Sequence, residues 1–174
     1  MRMRNVYIGL GSNIGDREST INTAITAVEK VLIETRSIKT LTISNIYETT
    51  AWGMPEGTPS FLNCVICIET NLELNYLLDV LLNIEIAHGR LRNTEEGYSN
   101  RTLDCDILVA GEEIVSNERL EVPHPRISKR RFVLQPLSDL DPKLKIPGLE
   151  NSVSELLINC SDNSKLTLWD PTHT

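Results

Sequence analysis

The sequence RTLDCDILVAG, residues 101–111, predicts a β-strand that carries two carboxylates on one face. Leu103 and the run from 107 to 109 supply apolar residues typical of a buried strand. Side chains alternate between the two faces of a strand, so Asp104 and Asp106 point the same way and Cys105 points the other way. The strand is therefore expected to offer a rigid, one-sided pair of oxygen donors.

This strand completes an order of elements typical of a ferredoxin-like fold. Upstream, the patterns predict strands over 5–12, 37–49 and 60–70, a helix with apolar residues from 21 to 32 after an Asp16 N-cap, and a helix from Leu74 to about Gly89. The order strand, helix, strand, strand, helix, strand is the split-βαβ arrangement. We therefore expect an α+β, ferredoxin-like αβ sandwich with helices packed on an antiparallel sheet. After residue 110 the pattern is mixed, with a short helix near 152–159.

Length and composition indicate one soluble domain spanning 1–174. The hydrophobic content is 40% and the charged content 24%, values typical of globular proteins, and no apolar run approaches the ~18 residues of a membrane span. The first apolar stretch is short and interrupted by glycine, which favours a strand over a signal peptide. We expect a cytoplasmic protein, either a monomer or a weak dimer, with no membrane partner.

The cysteine pattern argues against a disulfide framework and against zinc. Four cysteines are too few and too scattered to staple a chain of 174 residues. The CVIC motif at 64–67 lies in an alternating segment, where positions three apart face opposite sides. No second pair of cysteines or histidines matches it in sequence.

The charge distribution indicates a small polyanionic ligand. A net charge of −7 argues against a nucleic-acid binder. Seven of the eleven arginines nevertheless lie between 90 and 131, in a segment too short and too mixed with acids to follow a DNA backbone. Arginine forms bidentate, charge-assisted hydrogen bonds to phosphate.

Mg²⁺ is the cation that best explains the aspartate pair. Two carboxylates this close repel each other unless a cation compensates, and Mg²⁺ is commonly held by one or two carboxylates together with substrate phosphates. Metal carboxylates beside phosphate-binding arginines are typical of phosphoryl-type transfer. The alternative is a solvent-facing strand edge whose acids pair with Arg101 and Arg119, although aspartate is uncommon in strands.

Three further features have structural explanations. GLGSNIG, residues 9–15, is one residue longer than the dinucleotide fingerprint, so its glycines are expected to serve a tight turn. His88 ends an apolar helix, where a capping or partly buried histidine is expected. His124 lies between two prolines in the arginine-rich region, and a turn histidine and a phosphate contact remain equally open for it.

The motifs together resemble the 6-hydroxymethyl-7,8-dihydropterin pyrophosphokinase family. YIGLGSNIGDR, YETTAWG, FLN, GRLR, RTLDCDIL, VPHPR and RRFVLQPL occur in that family's order, from about 5 to 160. The resemblance implies a ferredoxin-like fold. It also implies transfer of pyrophosphate from ATP, as co-substrate, to the pterin's hydroxymethyl group with release of AMP in folate biosynthesis, with two Mg²⁺ ions.

The resemblance also implies roles for individual residues. Asp104 and Asp106 would hold both metal ions, and segment 90–100 would close over the substrates, with Arg90 and Arg92 acting in catalysis. The triphosphate would be surrounded by Arg90, Arg92, Arg101, Arg119, His124 and Arg130. The pterin would contact Thr49, Thr50, Trp52, Gly53, Phe61, Asn63, Tyr98 and Phe132, with Asn63 bonding its polar edge and the two phenylalanines stacking on its ring.

The chain departs from the family pattern at two places. Tyr98, Ser99 and Asn100 stand where the family usually has Trp-Gly-Pro, and neither Thr50 nor Ala51 is the proline usual in the pterin loop. Two other functions fit the same residues. A nucleotidyl transferase on this scaffold would release pyrophosphate instead of AMP, and a non-enzymatic module would bind nucleotide even after Asp104→Ala.

Overall fold

The computed structural model describes residues 2–51, 53, 55, 57–89 and 102–173, and its centre is an antiparallel sheet. Within the described residues, the main sheet has six strands, in the order β5-β1-β4-β3-β8, with β2 also paired to β4. In chain order the elements are β1 (Arg4–Ser12), α1 (Arg17–Glu34), β2 (Ile38–Ile43), β3 (Tyr47–Thr49), β4 (Phe61–Thr70), α2 (Leu74–Ala87), β5 (Asp104–Ala110), β6 (Val115–Ser116), β7 (Glu121–Val122), α3 (Arg131–Leu140), α4 (Val153–Ile158) and β8 (Leu166–Leu168), with short 3-10 helices at Ile127–Lys129 and Pro171–His173.

Helices cover both faces of this sheet. On one face α1 and α2 enclose a core that includes Ile8, Ile66 and Leu81. On the other face α3 and α4 pack over Val65 and Leu108. The predicted ferredoxin-like sandwich is confirmed, and α3 and α4 add a third layer to it. Among the described residues, no helix is long and apolar enough to cross a membrane.

The predicted single strand over 37–49 is wrong, because the structure divides it into β2 and β3. The N–H of Ser44 still donates to the Val65 carbonyl at 2.9 Å, but the N–H of Val65 donates to the Ser44 side-chain oxygen at 2.9 Å. The hydroxyl thus replaces a backbone partner and interrupts the ladder. Asn45 then turns toward α3, where its N–H and side-chain amide both contact Asp139.

The helix α3 and the strand β8 are among the elements that were not predicted. The region that forms α3 has Pro136 within it and a basic cluster before it, which obscured its helical period. The strand β8 pairs with β3, so that Leu166 lies opposite Thr49 and Leu168 lies opposite Tyr47. A three-residue strand whose partner lies more than a hundred residues away leaves little local signal.

Several local predictions are confirmed. The side chain of Asp16 caps α1 by accepting the Ser19 N–H at 3.0 Å, and His88 is the C-cap of α2. Cys64 packs in the core on the side of α1 and α2, whereas Cys67 packs on the opposite side. The four cysteines are free thiols.

The buried face of α2 provides a stability test. Leu81 is fully buried, whereas Ile86 on the same helix is 51% exposed. We expect Leu81→Ala to lower the free energy of unfolding by about 2–5 kcal/mol, since it removes packed methyl groups and leaves a cavity. Ile86→Ala is the matched control and should change it by less than about 1 kcal/mol. Urea denaturation measures both, and equal effects would contradict this placement of α2.

Candidate active site

Strand β5 presents Asp104 and Asp106 on one face of the sheet, as predicted. Asp104 lies opposite Gly11 and Asp106 opposite Gly9 of the neighbouring β1. Cys105, between them, is 7% exposed and packs in the core on the other face. Because their β1 partners are glycines, no side chain from those positions covers the two carboxylates, and ligands can approach them. Gly9 and Gly11 thus lie inside a strand, and only Gly15, with φ of 70°, serves the predicted turn.

Asp106 faces two basic side chains from the segment that follows β7. Its Oδ2 lies 3.7 Å from Nη1 of Arg130 and 3.8 Å from Nε2 of His124. The same two nitrogens of Arg130 and His124 are 3.3 Å apart. The predicted metal strand and two of the predicted triphosphate contacts therefore meet at one point.

His124 is held in place by the backbone and is kept neutral. The backbone N–H of His124 donates to the Leu108 carbonyl of β5 at 2.9 Å, and the ring nitrogen Nδ1 accepts the backbone N–H of Arg126 at 3.1 Å. The pKa of His124 is lowered to about 4, first by burial and then by the positive charges of Arg130 and Arg126. The Arg126 N–H at Nδ1 favours a ring proton on Nε2, whereas Nη1 of Arg130, which can only donate, lies 3.3 Å from that same Nε2. His124 thus serves the turn and also directs a ring nitrogen toward Asp106.

Arg130 is a buried cation with a fixed orientation. Its side chain is only 6% exposed, and its Cζ lies 5.6 Å from the ring centroid of Phe132. Its carbonyl accepts the backbone N–H groups of Val133 and Leu134 in α3, so the helix start fixes its backbone. Burying a guanidinium is costly without a compensating anion, and Asp106 is one such partner.

A second group of predicted residues lies on the same sheet face, on β3 and β4. Asn63 is 7% exposed and its Nδ2 donates to Oγ1 of Thr49 at 2.8 Å. This bond directs Oδ1 toward β1, where a methyl group added to Gly11 would lie 3.0 Å from that oxygen. Cδ1 of Phe61 would be 3.8 Å from the same methyl group. The face therefore combines a fixed amide with an aromatic ring, a pairing suited to a flat, polar heterocycle.

The residues present fit magnesium better than a transition metal. Among the described residues, no group of three or more His, Cys, Asp and Glu side chains could hold a metal ion by itself. Asp104 and Asp106 are hard oxygen donors, and a pair of carboxylates completed by substrate phosphates and water is the usual Mg²⁺ arrangement.

Other predicted residues are placed differently. Arg119 is 54% exposed and pairs with Asp79 of α2, with 2.5 Å between Nη2 and Oδ1, outside the contacts among Asp106, His124 and Arg130. Thr50 and Gly53 are exposed in the segment between β3 and β4. The predictions for Trp52, Arg90, Arg92, Tyr98 and Arg101 lie outside the described residues.

Glu85, which was not predicted from the sequence, supports the backbone of β5 between the two aspartates. Glu85 is 1% exposed, and its Oε1 accepts the Cys105 N–H, which lies between the two aspartates, at 2.8 Å. The available signal was a glutamate four residues after Leu81, in line with the apolar stripe of α2. A charge at a core position of a helix indicates a specific buried partner.

Comparisons with known proteins show which family the chain resembles. Residues 7–142 match the model of the family described as 7,8-dihydro-6-hydroxymethylpterin-pyrophosphokinase (HPPK). The chain is 40% identical over 158 residues to the 2-amino-4-hydroxy-6-hydroxymethyldihydropteridine pyrophosphokinase of Pseudomonas aeruginosa, covering 91% of this chain and 93% of that one. It is 35% identical over 166 residues to the enzyme of the same name from Haemophilus influenzae, covering 95% and 99%.

Solved structures show the same fold at low sequence identity. The wild-type HPPK-DHPS of Plasmodium falciparum matches with a TM-score of 0.65 and 15% identity, over 91% of this chain. The match covers 44% of that chain, so this chain spans less than half of that protein's length.

Proposed function

The chain belongs to the 7,8-dihydro-6-hydroxymethylpterin-pyrophosphokinase family, and from that premise we propose how its own residues perform the reaction. The enzyme transfers pyrophosphate from ATP to the hydroxymethyl group of 6-hydroxymethyl-7,8-dihydropterin, a step of folate biosynthesis. The observation that carries our proposal is that Asp104, Asp106, Arg130, His124 and Asn63 lie together on one side of one sheet.

In this proposal the carboxylates of Asp104 and Asp106 form a site for two Mg²⁺ ions. When bound there, the ions would neutralise part of the charge on the ATP phosphates. Glu85 makes the strand rigid by fixing the backbone between the two aspartates. Gly9 and Gly11 leave the two carboxylates open on one side. A site on a strand is held more precisely than one on a loop.

Arg130 and His124 act on the triphosphate. The guanidinium is already buried and oriented, so little side-chain entropy is lost when it donates to phosphate oxygens. The neutral ring of His124 adds an N–H donor at Nε2 without adding charge. In the reaction the hydroxyl oxygen of the pterin forms a bond to the β-phosphorus of ATP. The bond between the β-phosphorus and the oxygen that it shares with the α-phosphorus breaks, and AMP departs with that oxygen. The proton of the hydroxyl group goes to solvent. Fixed donors at the phosphates stabilise the charge that shifts to AMP.

The pterin site is proposed on β3 and β4, with Asn63 bonding the polar edge of the ring and with Phe61 and Phe132 covering its faces. The bond from Asn63 Nδ2 to Thr49 sets the direction of the amide before substrate arrives. Thr50 and Gly53, together with the sequence-based assignments Trp52 and Tyr98, complete this proposed surface. The proposed triphosphate contacts likewise include Arg90, Arg92 and Arg101 by resemblance to the family, whereas Arg119 pairs with Asp79 and is left out.

Gly11→Ala tests the pterin site without removing any polar group. The added methyl group would lie 3.0 Å from Oδ1 of Asn63, so the amide must shift. We expect the KM for the pterin to rise at least about fivefold, the lower end of the cost of one disturbed buried hydrogen bond. The KM for ATP should rise less, because the atoms nearest the added methyl group belong to Asn63, Phe61 and Leu62 and not to Asp104. Steady-state kinetics with each substrate varied in turn measures both constants. Equal increases in both constants would contradict the assignment of Asn63 to the pterin.

The two-metal site is tested by counting bound ions. Mn²⁺ substitutes for Mg²⁺ at oxygen sites, and its electron paramagnetic resonance signal reports the free ion. With a non-hydrolysable ATP analogue and the pterin present, we expect two Mn²⁺ per chain, and fewer in Asp106→Asn. A stoichiometry unchanged by Asp106→Asn would show that the metal is held elsewhere.

We also propose that residues 1–174 form one pyrophosphokinase domain, because β8 joins the same sheet as β1. Four free cysteines fit a reducing compartment and support a cytoplasmic location. A monomer or a weak dimer remains our proposal for the oligomeric state, which sedimentation equilibrium measures directly.

A further inference from the structure

A clasp made by Arg17 joins the two strand ends that carry the proposed pterin contacts. Nη1 of Arg17, the first residue of α1, donates to Oε1 of Glu48 at 2.8 Å and to the carbonyl of Ser60 at 2.8 Å. Glu48 precedes Thr49, and Ser60 precedes Phe61. One guanidinium therefore fixes the separation between the end of β3 and the start of β4, where the connecting segment leaves and returns.

Trp169, directly after β8, covers this guanidinium. The Cζ of Arg17 lies 5.2 Å from the ring centroid of Trp169, within range of a cation–π interaction. The indole N–H donates to Oε2 of Glu18 at 3.0 Å, and the Trp169 backbone N–H donates to the Ile46 carbonyl at 2.9 Å. The ring is thus held by α1 on one side and by the start of β3 on the other.

Trp169 and β8 lie beyond the part of the chain that matches the family model. The family model ends at 142, whereas β8 spans Leu166–Leu168 and pairs along the whole of β3. Thr49 consequently lies between β4 on one side and β8 on the other. The region after 142 is therefore connected directly to the strand that orients Asn63.

We propose that Arg17 and Trp169 are positioning residues that set the affinity for the pterin, while touching neither substrate. The inference rests on the pterin site proposed above. Without the clasp, the ends of β3 and β4 are joined only by the ladder that pairs Glu48 with Leu62 and Thr49 with Phe61. The Thr49–Asn63 pair and Phe61 are then less firmly ordered before the pterin binds. That ordering cost falls on pterin binding alone, because Asp104, Asp106, Arg130 and His124 lie on β5 and the segment after β7.

The test compares substitutions at the clasp by the KM of each substrate. Trp169→Ala and Arg17→Met should each raise the KM for the pterin by about tenfold to a hundredfold, the scale of a site displaced by about 1 Å, with the KM for ATP within twofold of wild type. Trp169→Phe keeps a ring over Arg17 and should restore most of the affinity. Leu168→Ala, at a side chain 62% exposed on the same strand, is the matched control and should leave both constants unchanged.

Each outcome separates this inference from the proposed function. If Asn63→Ala raises the KM for the pterin but the clasp variants do not, the clasp has only a structural role and the inference is wrong. If Asn63→Ala also has no effect, the pterin site itself is wrongly placed. Equal increases in the KM for both substrates would also overturn the inference. Should Trp169→Ala fail to fold, Arg17→Met decides the question, because it leaves β8 intact.

Discussion

Asp106→Asn is expected to lower kcat by at least about a thousandfold, because it removes one of the two carboxylates proposed to hold magnesium. Charge neutralisation by metal ions is worth several kcal/mol at a transferring phosphoryl group, and about 4 kcal/mol corresponds to this factor. Asn has nearly the same shape as Asp, so packing is preserved. The side chain of Asp106 is 42% exposed, and the substitution should leave the thermal midpoint within a few degrees of wild type.

Asp104→Asn should have a comparable effect, since the two side chains share one face of β5. The matched control is Glu69→Gln. Glu69 is a carboxylate on β4, outside the proposed site, and its Oε1 lies 3.0 Å from Nζ of Lys39. AMP formation under saturating substrates gives kcat, and circular dichroism reports the fold. A near-normal rate in either aspartate variant would refute the metal assignment.

Arg130→Met is expected to lower kcat/KM for ATP by about 10²–10⁴. A hydrogen bond to a charged group contributes about 1.5–3 kcal/mol, and a guanidinium placed this way can make two such bonds to phosphate oxygens. Removing Arg130 also leaves Asp106 without a cation that lies 3.7 Å from its Oδ2. In this variant the negative charge of Asp106 is therefore expected to depend more on a bound metal ion for compensation.

Arg130→Lys separates charge from geometry at the same position. Lysine keeps the positive charge but lacks the planar fork, so an intermediate loss is expected. Arg131→Met is the neighbouring control, because the structure joins Arg131 to Asp162 through its backbone N–H, and this contact survives the substitution. If Arg130→Met changes only the thermal midpoint while kcat/KM stays near wild type, Arg130 does not contact the triphosphate.

The carboxylate pair on β5 could be predicted from sequence because the alternation of side chains in a strand is a local property. Alternation in a strand places Asp104 and Asp106 on one face whatever the rest of the chain does. The Asp16 cap and the C-cap role of His88 follow from equally local patterns. The order of helices and strands was sufficient to predict the ferredoxin-like fold, because each of those elements has a local sequence pattern.

Features that depend on distant partners could not be predicted. The break between β2 and β3 requires the hydroxyl of Ser44 to bond Val65 across the sheet. The pairing of Arg119 with Asp79 reflects how close the segment between β6 and β7 lies to α2. The Arg17 clasp likewise depends on Trp169, which is more than a hundred residues away in sequence.

The most direct test mixes the protein with ATP, Mg²⁺ and 6-hydroxymethyl-7,8-dihydropterin and separates the nucleotides by chromatography. We predict AMP and a pterin diphosphate in equal amounts, dependent on both the pterin and Mg²⁺ and lost in Asp106→Asn. ADP formation, release of pyrophosphate, or AMP formed equally well without the pterin would contradict the account.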